Sequence, residues 1–150
     1  MVGDYFLSIG EEDNRISNIS ISEHEIMTPI DSFIEETPLI RKAYNELHEY
    51  FQGKRKEFTV PLLIRGTIFQ KKVFEALLTI EYGNTLSYKD IAQQVDSPHG
   101  YRAVGNAVNK NPIGIIVPCH RVIGSDGSLV GFASGLKIKQ FLLDIEKTHF

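Results

Sequence analysis

Residues 87–109 read SYKDIAQQVDSPHGYRAVGNAVN, and this stretch decides the fold of the half of the chain around it. Ser87 is a residue that caps helix starts, its hydroxyl accepting from a backbone N–H one turn on. Behind it Ile91, Ala92 and Val95 recur at helical spacing and predict a short helix over 88–95. Asp96-Ser97-Pro98-His99-Gly100 concentrates turn formers. A second helix follows over about 100–109. Two short helices joined by a tight turn make a candidate helix-turn-helix. They equally make an ordinary helical hairpin in a core, and spacing alone favours that plainer reading. The second helix shifts the balance slightly. Ala103, Gly105, Asn106 and Ala107 are poor core fillers, and Gly inside a helix costs about 1 kcal/mol relative to Ala. Side chains this small let the backbone approach another surface closely, either a packed helix or a DNA groove.

Upstream, Phe69, Val73, Phe74, Leu77 and Leu78 form one apolar stripe behind Thr67, a plausible N-cap, and this helix is expected to end near Tyr82-Gly83. Residues 38–52 place Leu39, Ala43, Leu47, Tyr50 and Phe51 near helical spacing, with Gly53 as a stop signal. Residues 4–9 and 16–26 carry Ile-rich and aromatic runs with polar interruptions and read as strands of a small sheet. Lys54-Arg55-Lys56, before the strand-like Phe58–Leu63, reads as a linker, so a domain boundary is expected near residue 60: residues 1–60 a sheet-and-helix domain, residues 61–150 a mainly helical one.

Downstream lies the segment with chemistry in it, Ile113-Gly-Ile-Ile-Val-Pro-Cys-His-Arg-Val-Ile123. Ile115, Ile116 and Val117 read as a buried strand, and Pro118, with no N–H to donate, ends its pairing. A lone cysteine is usually a small buried hydrophobe. Here His120 and Arg121 adjoin Cys119, and a nearby cation favours the nucleophilic thiolate. Neighbours in an extended segment point opposite ways, so His120 is expected to reach the sulfur through a bridging water. A base acting in this way needs an orienting partner. Glu146, near the end of a helix predicted over 136–147, is the candidate, although its charge pattern alone reads as a solvated carboxylate.

Composition narrows the class. The apolar fraction is 42% of 150 residues, enough for a buried core. No run is apolar enough for a membrane span, and the N-terminus lacks the basic-then-apolar pattern of a signal peptide. One cysteine excludes an internal disulfide, and the expectation is a reduced, intracellular, cytoplasmic protein. No Cys/His grouping has metal-ligand spacing, so no metal is expected. Residues 1–60 carry 12 acidic and 6 basic side chains, net −6, whereas residues 61–150 carry 7 and 10, net +3. That asymmetry permits nucleic-acid binding without requiring it.

Taken together, these residues closely resemble the O6-alkylguanine-DNA alkyltransferases (methylated-DNA–protein-cysteine methyltransferases). The resemblance rests on Pro118-Cys119-His120-Arg121-Val122 preceded by Asn111-Pro112, on Gly66-Thr67-Ile68-Phe69-Gln70, Ser87-Tyr88 and Arg102-Ala103-Val104-Gly105, and on Gly131-Phe132-Ala133-Ser134-Gly135-Leu136. They occur in order from about residue 50 to 147. The resemblance implies an α/β (α+β) protein: a small ribonuclease-H-like N-terminal sheet domain, and a C-terminal domain with a winged-helix-like helix-turn-helix. It implies direct-reversal DNA repair. Cys119 accepts the alkyl group of O6-alkylguanine (and of O4-alkylthymine) once per molecule, His120 activates it through a water, Glu146 orients His120, and Asn111 holds the turn carrying the cysteine. Tyr88 acts at the flipped nucleotide, as a donor to guanine and against its phosphate. Arg102 fills the gap in the stack. Val122, Phe132, Ala133 and Ser134 line the alkylguanine pocket, and Lys89, Ser97, Ala103, Gly105 and Ser125 contact DNA. The partner implied is double-stranded DNA bound through the minor groove by a monomer, with no cofactor and no membrane. The chain departs from the commoner pattern at Phe74 (often Trp), Ile68 (often Pro), Phe132 (often Tyr) and Ala133 (Ser in some members).

A base stacked in duplex cannot present its alkyl carbon to a buried sulfur, so it must be extruded. Added volume on Cys119 is expected to destabilise the fold. Three other readings are a non-catalytic alkyltransferase-like damage sensor, a cysteine hydrolase using Cys119 and His120, and a plain helix-turn-helix regulator. The first lacks the reactive cysteine, which is present here, and the second would turn over repeatedly without DNA.

Overall fold

The computed structural model describes residues 5–24, 36–97, 100–129, 132 and 134–149. The expected ends of both strand runs (residue 4, residues 25–26), Pro98 and His99 of the turn, and Gly131 and Ala133 of the pocket loop lie outside the described residues.

The chain opens with an antiparallel hairpin, β1 (Phe6–Glu12) and β2 (Arg15–Ser22), joined by Asp13-Asn14 at φ 55° and 59°. Short polar side chains tolerate that left-handed pair, and its twist suits a hairpin. β2 buries Ile16, Ile19 and Ile21 and is the seam of the molecule. Along the edge that β1 leaves free, Ile16 exchanges backbone hydrogen bonds with Pro61 and Leu63, and further on Ile19 does so with Pro112 and Gly114. Gly114 suits this close approach, since a Cβ would crowd the Ile19 carbonyl at 3.2 Å. Phe58–Leu63 is thus extended but pairs with β2 only around Leu62, not as a regular strand. Pro61 offers a carbonyl but no N–H, so no longer ladder can form.

Helix α1 (Pro38–Phe51) starts under a Thr37 cap that accepts from the Ile40 N–H at 3.1 Å, and stops before Gly53 at φ 74°. Its inner face is Ala43, Glu46, Leu47 and Tyr50, with Leu39 and Phe51 partly buried beside it. Helix α2 (Ile68–Leu78) has a reciprocal Thr67–Gln70 capping box. It ends one turn earlier than expected, because the Thr79 hydroxyl bonds the Ala76 carbonyl at 2.6 Å and the chain tightens there. Its buried stripe is Val73, Phe74, Ala76 and Leu77, while Leu78 faces out at 44% exposure.

Strand β3 (Leu86–Ser87) leads directly into α3 (Tyr88–Gln94), capped by a Ser87–Asp90 box, and α4 (Tyr101–Asn109) follows the turn. The two short helices pack on each other and on α2. The expected buried strand over Ile115–Val117 is instead a run of tight turns, with Ile115 at φ 70°. The cause is Asn111, whose side chain takes up the backbone groups a strand would use elsewhere. A 3-10 turn (Cys119–Arg121) and β4 (Val122–Ile123), parallel to β3, precede the last helix, α5 (Leu136–Thr148). This is the mixed α/β class expected. One apolar cluster runs through β2, α1, α2, α3, α4 and α5.

Candidate active site

Cys119 is placed by what precedes it. Asn111 donates from Nδ2 to the carbonyls of Val117 (2.9 Å) and Ile113 (3.3 Å), while its Oδ1 accepts from the Ile113 N–H at 3.0 Å. One amide thus closes the loop that Pro118 ends, and the Cys119 N–H returns to Val117 at 2.7 Å. The cysteine is 7% exposed and faces a cavity of about 110 Å³, shared with Ile19, Ile21, Asn111, Phe132 and Ser134.

The next side chain, His120, is fully buried and sends Nε2 to Glu146 Oε2 at 2.5 Å. Glu146 is buried too, on α5, and accepts five hydrogen bonds. Oε1 takes the Arg121 Nε (2.8 Å) and Gly83 N–H (3.1 Å), and Oε2 takes His120, Arg121 Nη2 (3.1 Å) and the Tyr50 hydroxyl (2.6 Å). Burial alone would raise this carboxyl, but the His120 and Arg121 donors outweigh it and bring it down to about 2. Burial also holds the His120 pKa below its usual value, against the pull of Glu146. A neutral ring bonded through Nε2 to a carboxylate carries its hydrogen on Nε2, so Nδ1 holds the lone pair. Nδ1 is buried and meets no hydrogen-bond partner among the described residues. The arrangement is an oriented base.

The thiol differs from the sequence expectation. Burial pushes the Cys119 pKa up, and the Asn111 amide and the Lys139 charge only partly offset this. Arg121, the cation expected to favour thiolate, is held by Glu146 and the Ile80 carbonyl instead. The resting group is therefore a thiol that needs a base. Lys139 of α5 is fully buried, with Nζ 5.9 Å from the ring centres of both Tyr88 and Phe132. Burial, then the Cys119 charge, raises the Tyr88 pKa, so its hydroxyl keeps a proton to donate.

Outside the cavity lies a groove of about 710 Å³ along α4, bordered by Tyr88, Lys89, Tyr101, Arg102, Gly105 and Ser125. Gly105 keeps it open beside Tyr88, whose ring would lie 3.9 Å from a Cβ there.

The C-terminal part, residues 68–148, matches the family described as 6-O-methylguanine DNA methyltransferase, DNA binding domain. The chain belongs to this family. The methylated-DNA–protein-cysteine methyltransferase of Methanosarcina barkeri is 46% identical over 148 residues, 99% of this chain and 93% of that one. The constitutive enzyme of that name from Bacillus subtilis is 45% identical, covering 96% of this chain and 90% of its own. The crystal structure of Mycobacterium tuberculosis OGT in complex with DNA superposes with a TM-score of 0.87 at 42% identity, covering 95% of this chain and 87% of that one.

For a methyltransferase of this family, the expected site residues fall into two groups. Cys119, His120, Glu146 and Asn111 converge around the 3-10 turn, and Tyr88, Lys89, Arg102, Gly105 and Ser125 share the groove. Phe132 and Ser134 line the small cavity. Val122 is fully buried in β4 opposite Leu86. Ala103 is exposed on α4, and Ser97 lies in the turn after α3 with its carbonyl accepting from the Gly100 N–H; neither borders the groove. Sequence reasoning missed Tyr50, Lys139 and Tyr101. Tyr50 and Lys139 sit at apolar-face positions of their helices, a signal equally common in plain cores. Tyr101 adjoins Arg102, which was the one available clue.

Among the described residues no helix is long and apolar enough to cross a membrane, and no group of three His, Cys, Asp or Glu is arranged to hold a metal ion.

Proposed function

We propose that Cys119 is the alkyl acceptor, and that His120 Nδ1 is the base that frees its sulfur. The chain is a methylated-DNA–protein-cysteine methyltransferase that repairs DNA by direct reversal, and DNA is its partner. The observation that carries the residue assignment is the His120–Glu146 bond. It fixes the hydrogen on Nε2 and leaves a buried lone pair on Nδ1 next in sequence to a buried thiol.

The substrate is O6-alkylguanine, with O4-alkylthymine as a second, in duplex DNA approached from the minor groove. Small side chains on α4 suit a narrow groove, and Arg102 enters the stack as the base leaves it. The extruded base presents its alkyl group to the Cys119 cavity, with Tyr88, Phe132, Ala133, Ser134 and Val122 as the residues assigned to the base; Lys89, Ser97, Ala103, Gly105 and Ser125 meet the backbone. His120, through a bridging water, takes the thiol proton. The sulfur attacks the alkyl carbon, a C–S bond forms as the C–O bond breaks, and the electron pair passes to the guanine oxygen. A donor such as Tyr88 stabilises the developing charge. The base ends as guanine, carrying the proton the thiol gave up. The product is a thioether with no carbonyl for water to attack, so each molecule acts once. The protein works as a monomer in the cytoplasm, with its domain division near residue 60.

The test is intact-protein mass after incubation with excess DNA bearing O6-methylguanine, with peptide mapping. The expected result is one methyl per chain, on Cys119, and no further gain. Cys119→Ser is expected to gain none and still bind the lesion. A Cys119→Ser protein with full repair activity, or a methyl mapped elsewhere, would falsify the assignment.

A further inference from the structure

One buried titratable group takes no part in this chemistry. Tyr50, on α1, is fully buried, and its ring meets Phe51, Phe58 and Tyr82 at centroid distances of 5.5, 5.6 and 6.0 Å. A phenylalanine would satisfy that apolar surround. The hydroxyl instead reaches 96 positions along the chain to Glu146 Oε2 at 2.6 Å, and lies 3.5 Å from His120 Nε2. It therefore shares one carboxylate oxygen with the imidazole.

We propose that Tyr50 is a positioning residue for alkyl transfer: its hydroxyl holds Glu146 Oε2 and limits how strongly that oxygen draws on His120, so that the ring stays neutral with Nδ1 free to take a proton. This rests on His120 serving as the base. A donor on a carboxylate lowers its basicity. With Tyr50 in place Glu146 is shared among Tyr50, Arg121, Gly83 and His120. Without the hydroxyl, the same oxygen is left to His120 and Arg121, and the imidazole becomes more basic. Nδ1 then holds a proton up to higher pH, and less of the protein can accept one from Cys119. The other charges facing this cluster are Lys139, which acts on His120, and Arg121 and Lys56, which both lie over the Tyr82 ring, 5.8 and 5.5 Å from its centre. All of them remain in the variant. Burial, then the Glu146 charge, pushes the Tyr50 pKa well up, so the hydroxyl stays a donor throughout the working range. The arrangement also places one part of the base's support in the N-terminal half, on a helix that touches neither the cavity nor the groove.

The experiment is the single-turnover rate of transfer from O6-methylguanine DNA as a function of pH, for wild type, Tyr50→Phe and Phe51→Leu, with the product mapped to Cys119. Phe51→Leu loosens the same packing without touching the hydroxyl. Tyr50→Phe is expected to move the acid limb up by about one pH unit, which is about tenfold in rate below that limb, since one unit is tenfold in protonation. The rate should recover toward wild type at alkaline pH, and the His120 ring nitrogens should titrate higher by NMR. Phe51→Leu should melt lower and keep the wild-type profile. A Tyr50→Phe profile that superimposes on wild type, or a loss equal at every pH, overturns the proposal and leaves Tyr50 as packing. Absence of methyl on Cys119 in wild type overturns the underlying reading instead, and the mapping separates the two failures.

Discussion

Glu146 stands where a helix would ordinarily bury an apolar side chain, and its five donors show what the charge does. It holds His120 in one tautomer and neutralises Arg121, both of which are buried. Glu146→Gln keeps the shape but must turn an NH₂ toward one of those donors. Transfer is expected to slow by roughly 10² or more, in the range for loss of a positioned base, while lesion binding changes little. Breaking a buried pair by removing one charge costs about 3–5 kcal/mol, so the variant should unfold at lower urea at pH 7. The pH dependence has a definite sign. The folded carboxyl lies at about 2 against an ordinary value of 4.5, so its stabilisation is complete above about 4.5 and is lost as pH falls toward 2. Wild type should therefore lose more stability than Glu146→Gln between pH 5 and pH 3, approximately. Urea titrations at several pH values measure this; parallel losses would assign the acid sensitivity to other groups.

At the scale of elements, what could be read from sequence was local. Thr67 and Ser87 announce their helices because a cap needs only three residues of context, and the α3–turn–α4 pair follows. Ile115–Val117 read as a strand because the pattern shows burial and not pairing. The partner that reshapes it is a side chain, Asn111, four to six residues upstream. Tyr50 is opaque for the opposite reason: its meaning lies in contacts across 70 to 96 positions. Glu146 can be named as a partner for His120, but its charge pattern alone reads as a solvated carboxylate and does not show the five donors around it. Helix α4 gives a prediction of its own. Gly105 is the weak point of that helix, yet a Cβ there would meet only the Tyr88 ring at ordinary contact distance. Gly105→Ala should therefore stabilise the fold by about 0.5–1 kcal/mol. The same methyl would stand in the groove proposed to receive DNA, so affinity for duplex should fall several-fold. A variant that is more stable and binds equally well would remove α4's glycine from the interface.

At the scale of the molecule, the reactive cysteine is held by both halves of the chain. β2 pins Pro112–Gly114 from one side, α5 supplies Glu146 and Lys139 from another, and the cavity over the sulfur has β2 side chains in its wall. The repaired base departs, but the alkyl group stays in this space as a thioether. A methyl is small beside about 110 Å³, whereas a benzyl group is comparable with the whole cavity. The walls are close-packed, and forcing extra volume into such a site costs about 1–3 kcal/mol. Displacement at Cys119 would press on the Asn111-closed loop and, through Ile19, on the hairpin. Alkylation should therefore lower the thermal midpoint, by roughly 2–4 °C for each kcal/mol in a chain of this size, and the drop should grow from methyl to benzyl. Calorimetry on mass-verified free, methylated and benzylated protein checks this. Equal midpoints for all three would mean that the loop and the β2 seam yield without loss, and that alkylation leaves a folded product as durable as the unreacted protein.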